Sequence, residues 1–408
     1  MKPVAFLFPG VGSHYIGMSK TLYDNFEVYR KTLEEASDLL KVDMNGMFFM
    51  KEKKEELDKI DNAQTVMLTA SIASYRVFQQ EIGLQPQYCM GHSLGEYSAL
   101  CSAGVVTFPD ALKLVKERGL IIHDVASRIN GTMMWVINLD VQAIEDICKE
   151  TSSPGHEIYI SAYDSPTQAS ISGHTDTLMS TAKILEGKGA IVYPLKFSGP
   201  FHSPLMKEAS ERMAGVLNQY TFKDPVCEVI ANHNALPYKD VKDVSGHLST
   251  QLVCPIYWRS SLLYLAEKSV EKAIEMGPKN VLKFLVQKNT DAIKVFTTDN
   301  SKDIETIKEE MVLKTEDYLG AIGRCLGAAV STKNNMTDQS PNAYEEKVIR
   351  PYRKIEAMYN EFVSNGKTPG KEQVKEALEM AYHIMAVKNT PAKQQEKLIE
   401  KILKNKYL

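Results

Sequence analysis

The feature that most narrows the fold is the pentapeptide Gly91-His92-Ser93-Leu94-Gly95, set directly behind the short apolar run Tyr88-Cys89-Met90. Small residues around a serine let a strand turn sharply into a helix and leave the hydroxyl standing clear. Roughly one chain in ten of this length carries a G-x-S-x-G by chance, so the context decides. Here a strand pattern precedes the pentapeptide and a helical pattern follows it. The helix behind Ser93 would offer unpaired amides and the positive end of its dipole to a developing oxyanion. Such a turn belongs to helices packed on a mainly parallel sheet. Val4–Phe8 reads as a buried first strand, too short an apolar run for a signal peptide. Pro9-Gly10-Val11-Gly12-Ser13 reads as the loop leaving it, and helical patterning dominates from about 20 to 80.

Residues 130 to 198 follow another rhythm. Segments 133–139, 157–162, 168–172 and 191–195 read as strands, and 141–149 and 175–188 as helices. The order β-α-β-β-α-β is the ferredoxin-like arrangement, here a small inserted subdomain, with the larger one resuming near Phe197. The run from Ser331 to Asn342 is polar and turn-rich, the composition of a linker. Three helical patterns lie beyond it, the first after a break at Pro351. Its face carries Ile355, Met358, Tyr359 and Phe362. Thr368-Pro369 and Thr390-Pro391 read as N-caps followed by a first-turn proline. The expected fold class is therefore α/β: an α/β-hydrolase-like large domain (1–128 and 198–300), the ferredoxin-like subdomain (129–197), and a linker with a helical C-terminal extension (301–408). The extension either packs or docks a partner.

Charge and cysteine usage exclude several functions. With 48 basic and 51 acidic residues in 408, the net charge is -3, which gives no footprint for nucleic acid. No apolar run is long enough to span a bilayer. The six cysteines are scattered without a CxxC pair, arguing against a disulfide framework or zinc site and for a reducing cytoplasm. Gly10-Val11-Gly12 follows a strand, but the next glycine is Gly17, so the dinucleotide fingerprint G-x-G-x-x-G fails. No metal or P-loop motif occurs.

A serine nucleophile needs a base. His202, in Pro200-Phe201-His202-Ser203 between a strand and a helix, could reach back to Ser93. His92 competes, although a residue adjacent to the nucleophile normally points away from it. Spacing alone does not choose among the nine histidines.

The segment Gly91-His92-Ser93-Leu94-Gly95-Glu96-Tyr97-Ser98-Ala99-Leu100 resembles the nucleophile segment of malonyl-CoA:acyl carrier protein transacylases. Further matches follow in order. Phe8-Pro9-Gly10-Val11-Gly12-Ser13-His14 is similar to the family's opening F-P-G-Q-G-S-Q loop, and Gln64 to the glutamine of its T-Q-P motif. Arg118-Gly119, Gly131-Thr132-Met133 and Pro200-Phe201-His202-Ser203 match its R-G, G-x-M and histidine segments. Gln251-Leu252 through Trp258 and Glu275-Met276-Gly277-Pro278 match its Q-L…P-V-x-W and E-x-G-P runs. Together they cover roughly residues 3 to 290. The discrete, trans-acting acyltransferases of bacterial polyketide and lipopeptide pathways resemble the chain best, since some carry a C-terminal extension.

The resemblance implies transfer of a malonyl group from coenzyme A to the phosphopantetheine thiol of an acyl carrier protein, through a malonyl ester on Ser93. His202 would be the general base and then acid, oriented by the backbone carbonyl of Gln251. The Val11 and Leu94 amides would form the oxyanion hole. Arg118 would hold the malonyl carboxylate, because a guanidinium binds both oxygens in one plane. Gln64, His92 and Phe201 would line the pocket. No cofactor or metal is required. Malonyl-CoA is the substrate, phosphopantetheine arrives on the partner, and that partner is a carrier protein or a carrier domain of a polyketide or nonribosomal synthase. The chain departs from the family pattern at Val11, His14, His123, Ala162 and Asp164. These positions bear on the acyl unit, and the polar His14, His123 or Asp164 would suit a substituted malonyl. The nearest rival is an acyl hydrolase clearing stalled carrier proteins, in which Arg118 would be left unpaired. A silent scaffold that recruits carrier proteins would not need Ser93, Arg118 and His202 together.

Overall fold

The computed structural model describes residues 2–195, 199–336 and 340–408, and among these, nine strands in two sheets organise the first three quarters of the chain. The larger sheet is wholly parallel, with β7 (Glu228–Ile230), β2 (Tyr88–Gly91), β1 (Val4–Phe8), β8 (Lys272–Glu275) and β9 (Lys294–Thr297) in that spatial order. All five residues of β1 are buried. A central parallel strand is covered on both faces, which is why its sequence is apolar throughout and does not alternate. Phe8 pairs with Gly91, so the loops leaving β1 and β2 emerge side by side at the carboxyl edge of the sheet. Open parallel sheets place their sites at that edge.

The turn after β2 is as tight as its glycines suggest. A Cβ on Gly91 would lie 1.9 Å from the Gly95 carbonyl carbon, and one on Gly95 would lie 2.0 Å from the Phe8 oxygen. Ser93 adopts a left-handed φ of 52°, an unfavourable conformation for a non-glycine residue that surrounding contacts must hold in place. The helix Gly95–Ser102 starts behind it. Gly10 is pinned similarly, since its Cβ would meet the His92 oxygen at 2.5 Å. The two loops thus pack backbone to backbone.

The smaller sheet is antiparallel in the order β4 (Ile158–Ser165), β5 (Gln168–His174), β3 (Gly131–Ile137), β6 (Ile191–Pro194). Helices Val141–Thr151 and Thr175–Gly187 cover it, and Val136, Ile144, Ile171, Leu178 and Leu185 form its core. This is the expected β-α-β-β-α-β order. It joins the larger sheet's surroundings through the reciprocal backbone bonds Tyr163 N–H to Ile256 O (2.9 Å) and Ile256 N–H to Ser161 O (3.0 Å). The expected return to the large subdomain near Phe197 lies outside the described residues.

Contacts divide the chain into Lys2–Ile304 and Glu305–Leu408. The second unit has its own core: Ile322, Cys325, Ile355, Ala377, Ala381, Ile384 and Ile402 are buried among its four longer helices, Tyr318–Ser331, Arg350–Asn365, Lys371–Val387 and Ala392–Ile402. Each large aliphatic side chain buried there contributes about 1.5–3 kcal/mol. Met358, Tyr359 and Phe362 pack on that core beside Ile355, as their spacing predicts.

Three local expectations are corrected. Pro351 does not break the chain's helical path: Glu345–Ile349 forms a widened π turn, and the helix Arg350–Asn365 continues directly from it with Pro351 as its second residue. The helix after Thr368-Pro369 starts later, at Lys371, with Gly370 as N-cap and Gln373 Oε1 accepting its amide. Pro391, not Thr390, caps the last helix, and the Thr390 hydroxyl finds no partner among the described residues. In the expected linker, Thr337, Asp338 and Gln339 lie outside the described residues, whereas Met336 is buried in this unit's core. Among the described residues, no helix is long and apolar enough to cross a membrane.

Candidate active site

Ser93 Oγ lies 2.8 Å from His202 Nε2, and His202 Nδ1 lies 2.8 Å from the Gln251 backbone oxygen. A carbonyl only accepts, so Nδ1 carries the proton and Nε2 presents its lone pair to the serine hydroxyl. That is the tautomer a general base requires. His202 is buried and also takes a left-handed φ, 57°. Burial first, and the positive charge of Arg118 second, push its pKa down to about 3, so the ring is neutral at any working pH.

Arg118 approaches the same hydroxyl from the helix Phe108–Ser127. Its Nη2 is 3.4 Å from Ser93 Oγ and 3.1 Å from Gln251 Oε1, and its Nη1 donates to Gln64 Oε1 at 2.7 Å. Only 3% of the residue is exposed. Every one of these acceptors is neutral, and no carboxylate forms an ion pair with Arg118 among the described residues. Burial lowers its pKa, yet guanidinium remains charged in proteins. Gln64 Nε2, also buried, has no partner among the described residues. The site therefore holds a desolvated positive charge and a spare amide donor beside the nucleophile.

Gln251 is the hub of the arrangement. Its Nε2 donates to Ser93 O (2.9 Å) and Glu96 Oε2 (2.7 Å), while its two oxygens receive Arg118 and His202. The strained turn is clamped by Asn232, whose Oδ1 accepts the Ser93 amide at 2.8 Å and whose Nδ2 donates to Gly91 O at 2.6 Å. The Val11 and Leu94 amides donate to no backbone carbonyl among the described residues, as suits groups kept for an oxyanion.

The remaining expected residues fall around this cluster. His92 turns away from Ser93: its Nε2 lies 2.9 Å from Asp164 Oδ1 and its ring lies against Trp258. Asp164 also accepts from Ser170, so its carboxylate is already engaged. His14 bonds the Gly12 amide and faces Asp58 at 3.4 Å, and burial lowers its pKa. His123 is exposed on its helix. The polar groups of His14 and Asp164 are thus engaged within the protein, while His123 faces solvent. Phe201 is held by its backbone oxygen, which accepts from Ser172 Oγ at 2.8 Å. Asn232 and Tyr238 carry no motif signal, and Glu96 stood in the nucleophile segment without a role.

A nucleophilic serine at a strand-to-helix turn, paired with a buried histidine and a buried cation, defines the class of enzymes that work through a serine ester. Residues 5–308 match the acyl transferase domain family. Relatives include a malonyl CoA-acyl carrier protein transacylase of Bacillus subtilis (38% identical over 309 residues, 76% of this chain and 77% of that one). Another, from B. subtilis strain 168, is 35% identical over 76% of this chain and 99% of its own. The chain thus belongs to the malonyl CoA-acyl carrier protein transacylase family. Among solved structures, FabD from Acinetobacter baumannii is 34% identical, with a TM-score of 0.72 over 76% of this chain and 98% of its own. A malonyl-transacylase in complex with a type II PKS acyl-carrier protein is 32% identical, with a TM-score of 0.73 over 76% of this chain and 99% of its own.

Proposed function

We propose that this protein transfers a malonyl group from coenzyme A to the phosphopantetheine thiol of an acyl carrier protein, with Ser93 as nucleophile. The observation that carries the reading is Arg118, a buried guanidinium 3.4 Å from the nucleophilic oxygen with only neutral acceptors. A buried charge without a counter-ion is costly, and a substrate carboxylate is the group that completes it. An acyl chain lacking a carboxylate would leave the charge unmatched, which separates this reading from a general acyl hydrolase.

In the first half-reaction Ser93 Oγ attacks the thioester carbonyl while His202 Nε2 takes the hydroxyl proton. The oxyanion receives the Val11 and Leu94 amides. The tetrahedral intermediate collapses, the C–S bond breaks, and His202 returns its proton to the coenzyme A sulfur. The second half runs in reverse: the carrier thiol gives its proton to His202 and attacks the ester, and Ser93 Oγ leaves and is reprotonated. A malonyl carboxylate on Arg118 also offsets one of the three causes that depress the His202 pKa (burial, Arg118 and His92), so the correct substrate strengthens its own base. Gln251 orients the imidazole, and Gln64, His92 and Phe201 shape the pocket. Residues 1–128 with 198–300 form the large subdomain, 129–197 the small one, and 301–408 the extension. The six cysteines are all free, which supports a cytoplasmic setting. The deciding experiment is intact-mass analysis with malonyl-CoA, followed by carrier protein. An adduct on Ser93 that moves to the carrier supports transfer, and an adduct lost only to water would sink it.

A further inference from the structure

Glu96 is a fully buried carboxylate bonded to Gln251 and Asn232, three residues after Ser93 on the helix Gly95–Ser102. Its backbone amide donates to Ser93 O at 3.1 Å, but its carboxylate bonds neither Ser93 nor His202 among the described residues. Its Oε1 accepts from the Tyr238 hydroxyl (2.5 Å) and the Asn232 amide (3.3 Å), and its Oε2 accepts from Gln251 Nε2 (2.7 Å). Among the described residues no cation pairs with it directly. The nearest is Arg118, on the far side of the Gln251 side chain.

A primary amide is nearly symmetric in shape, so its neighbours decide which end faces which way. The Glu96 carboxylate and Ser93 O can only accept, and both therefore demand the NH2 end of Gln251. That leaves Oε1 for Arg118 Nη2, at 3.1 Å. With Gln64 Oε1 on Nη1, the plane of the guanidinium is fixed by two oxygens. A carboxylate placed directly on Arg118 would occupy the position a substrate carboxylate needs. Held one amide away, it offsets the buried charge and leaves the guanidinium open. Burial pushes the Glu96 pKa up to about 7, while its hydrogen bonds and the Arg118 charge oppose that shift.

We propose that Glu96 is a positioning residue for acyl selection, which sets the Gln251 amide and through it the orientation and availability of Arg118 for a carboxylated acyl group. The inference rests on Arg118 being the carboxylate site. Glu96→Gln is close to isosteric but brings an NH2 group of its own, so the Gln251 amide loses the shortest of the contacts that fix its direction and keeps Ser93 O and Asn232 Oδ1. Disturbing one buried charge-assisted contact in this way should lower kcat/KM for Ser93 malonylation about 10- to 100-fold, mainly through KM. Loading from acetyl-CoA, which has no carboxylate to place, should change little.

The experiment measures acyl-Ser93 formation from malonyl-CoA and acetyl-CoA by intact mass. It uses the full-length wild type, Glu96→Gln, Arg118→Ala and the double variant, each with a thermal melt. The expected result is a fall in the malonyl-to-acetyl ratio for Glu96→Gln, with no further fall when the change is added to Arg118→Ala. Equal losses with both donors, or an undiminished loss in the Arg118→Ala background, would overturn the proposal and leave Glu96 a structural residue. If Arg118→Ala itself keeps the wild-type ratio, the carboxylate-site reading fails first, and this inference fails with it. Should Glu96→Gln not fold, Tyr238→Phe decides, since it removes one donor to Glu96 without changing charge. A shift of the ratio in the same direction supports the proposal, and an unchanged ratio rejects it.

Discussion

Two buried cations, one in each unit of the chain, show how differently a desolvated charge can be used. Lys388, 5% exposed, donates its Nζ to Ala329 O at 2.7 Å and Thr332 O at 3.3 Å. These carbonyls end the helix Tyr318–Ser331, where unpaired C=O groups and the negative end of the dipole favour a cation. Arg118, 3% exposed, meets two side-chain amide oxygens and a hydroxyl. Neither makes an ion pair among the described residues, and burial lowers both pKa values. The difference lies in what surrounds them. Lys388 fills a need the backbone always has at a helix end. Arg118 answers no such need and stands beside a nucleophile, so its charge remains available to a ligand.

The comparison can be broken most sharply at the nucleophile. Ser93→Ala removes the oxygen proposed to carry the acyl group, and the rate of carrier malonylation should fall by at least about 10^4-fold. Intact mass should show no adduct. Any adduct that persisted would place the chemistry elsewhere and leave Arg118 without a function. Arg118→Ala comes next. It should cost about 2–5 kcal/mol in kcat/KM for malonyl-CoA and leave loading of acetyl-CoA unchanged or improved. Equal losses with both donors would make Arg118 a packing residue of the Lys388 kind.

How much of this was legible in the sequence follows from what each residue answers to. The strand-turn-helix at Ser93 could be read locally, because close backbone approach admits only glycine at positions 91 and 95. The β-α-β-β-α-β order was equally local, since each element carries its own period. His202 could not be separated from the other histidines by spacing, as 109 residues divide it from Ser93 and only the fold returns it. Arg118 alone would pass for a solvated helix charge, and the family resemblance singled it out. Asn232, Tyr238 and the link from Glu96 to Gln251 were out of reach, for they depend on side chains brought together by the parallel register of β1, β2 and β7. At the C-terminus the error was specific. The threonine-proline pairs carry a capping pattern, but a glycine and a proline one or two residues later hold the capping positions.

The same contrast has a pH signature. His202 is held neutral to about 3 by burial and by Arg118, whereas an imidazole in the unfolded chain protonates near 6.5. As pH falls below 6.5 the unfolded chain takes up a proton that folded His202 refuses. Its contribution to stability is therefore complete above 6.5 and is lost progressively toward the folded value. With histidine-selective 15N labelling, and His202→Gln to assign the signal, the His202 resonances should keep the neutral Nδ1–H pattern down to pH 5. A midpoint near 6.5 would mean that the ring is hydrated and the guanidinium is not acting on it.

The smallest effect, and the one that sharpens the comparison most, comes from replacing each cation with methionine. Lys388→Met removes charge-assisted hydrogen bonds to helix-end carbonyls and leaves those oxygens buried, at a cost of about 1–3 kcal/mol. Hydrogen exchange should rise at the end of the helix Tyr318–Ser331, while malonyl loading stays at the wild-type rate. Arg118→Met removes a buried charge that has no counter-ion, and such replacements are often neutral or stabilising. Its thermal midpoint should therefore hold or rise while acyl selection collapses. The two variants thus exchange their costs, one losing stability and keeping activity, the other the reverse. If Arg118→Met destabilises the protein as much as Lys388→Met does, its amide and hydroxyl partners already satisfy the guanidinium, and the case for a waiting carboxylate site is lost.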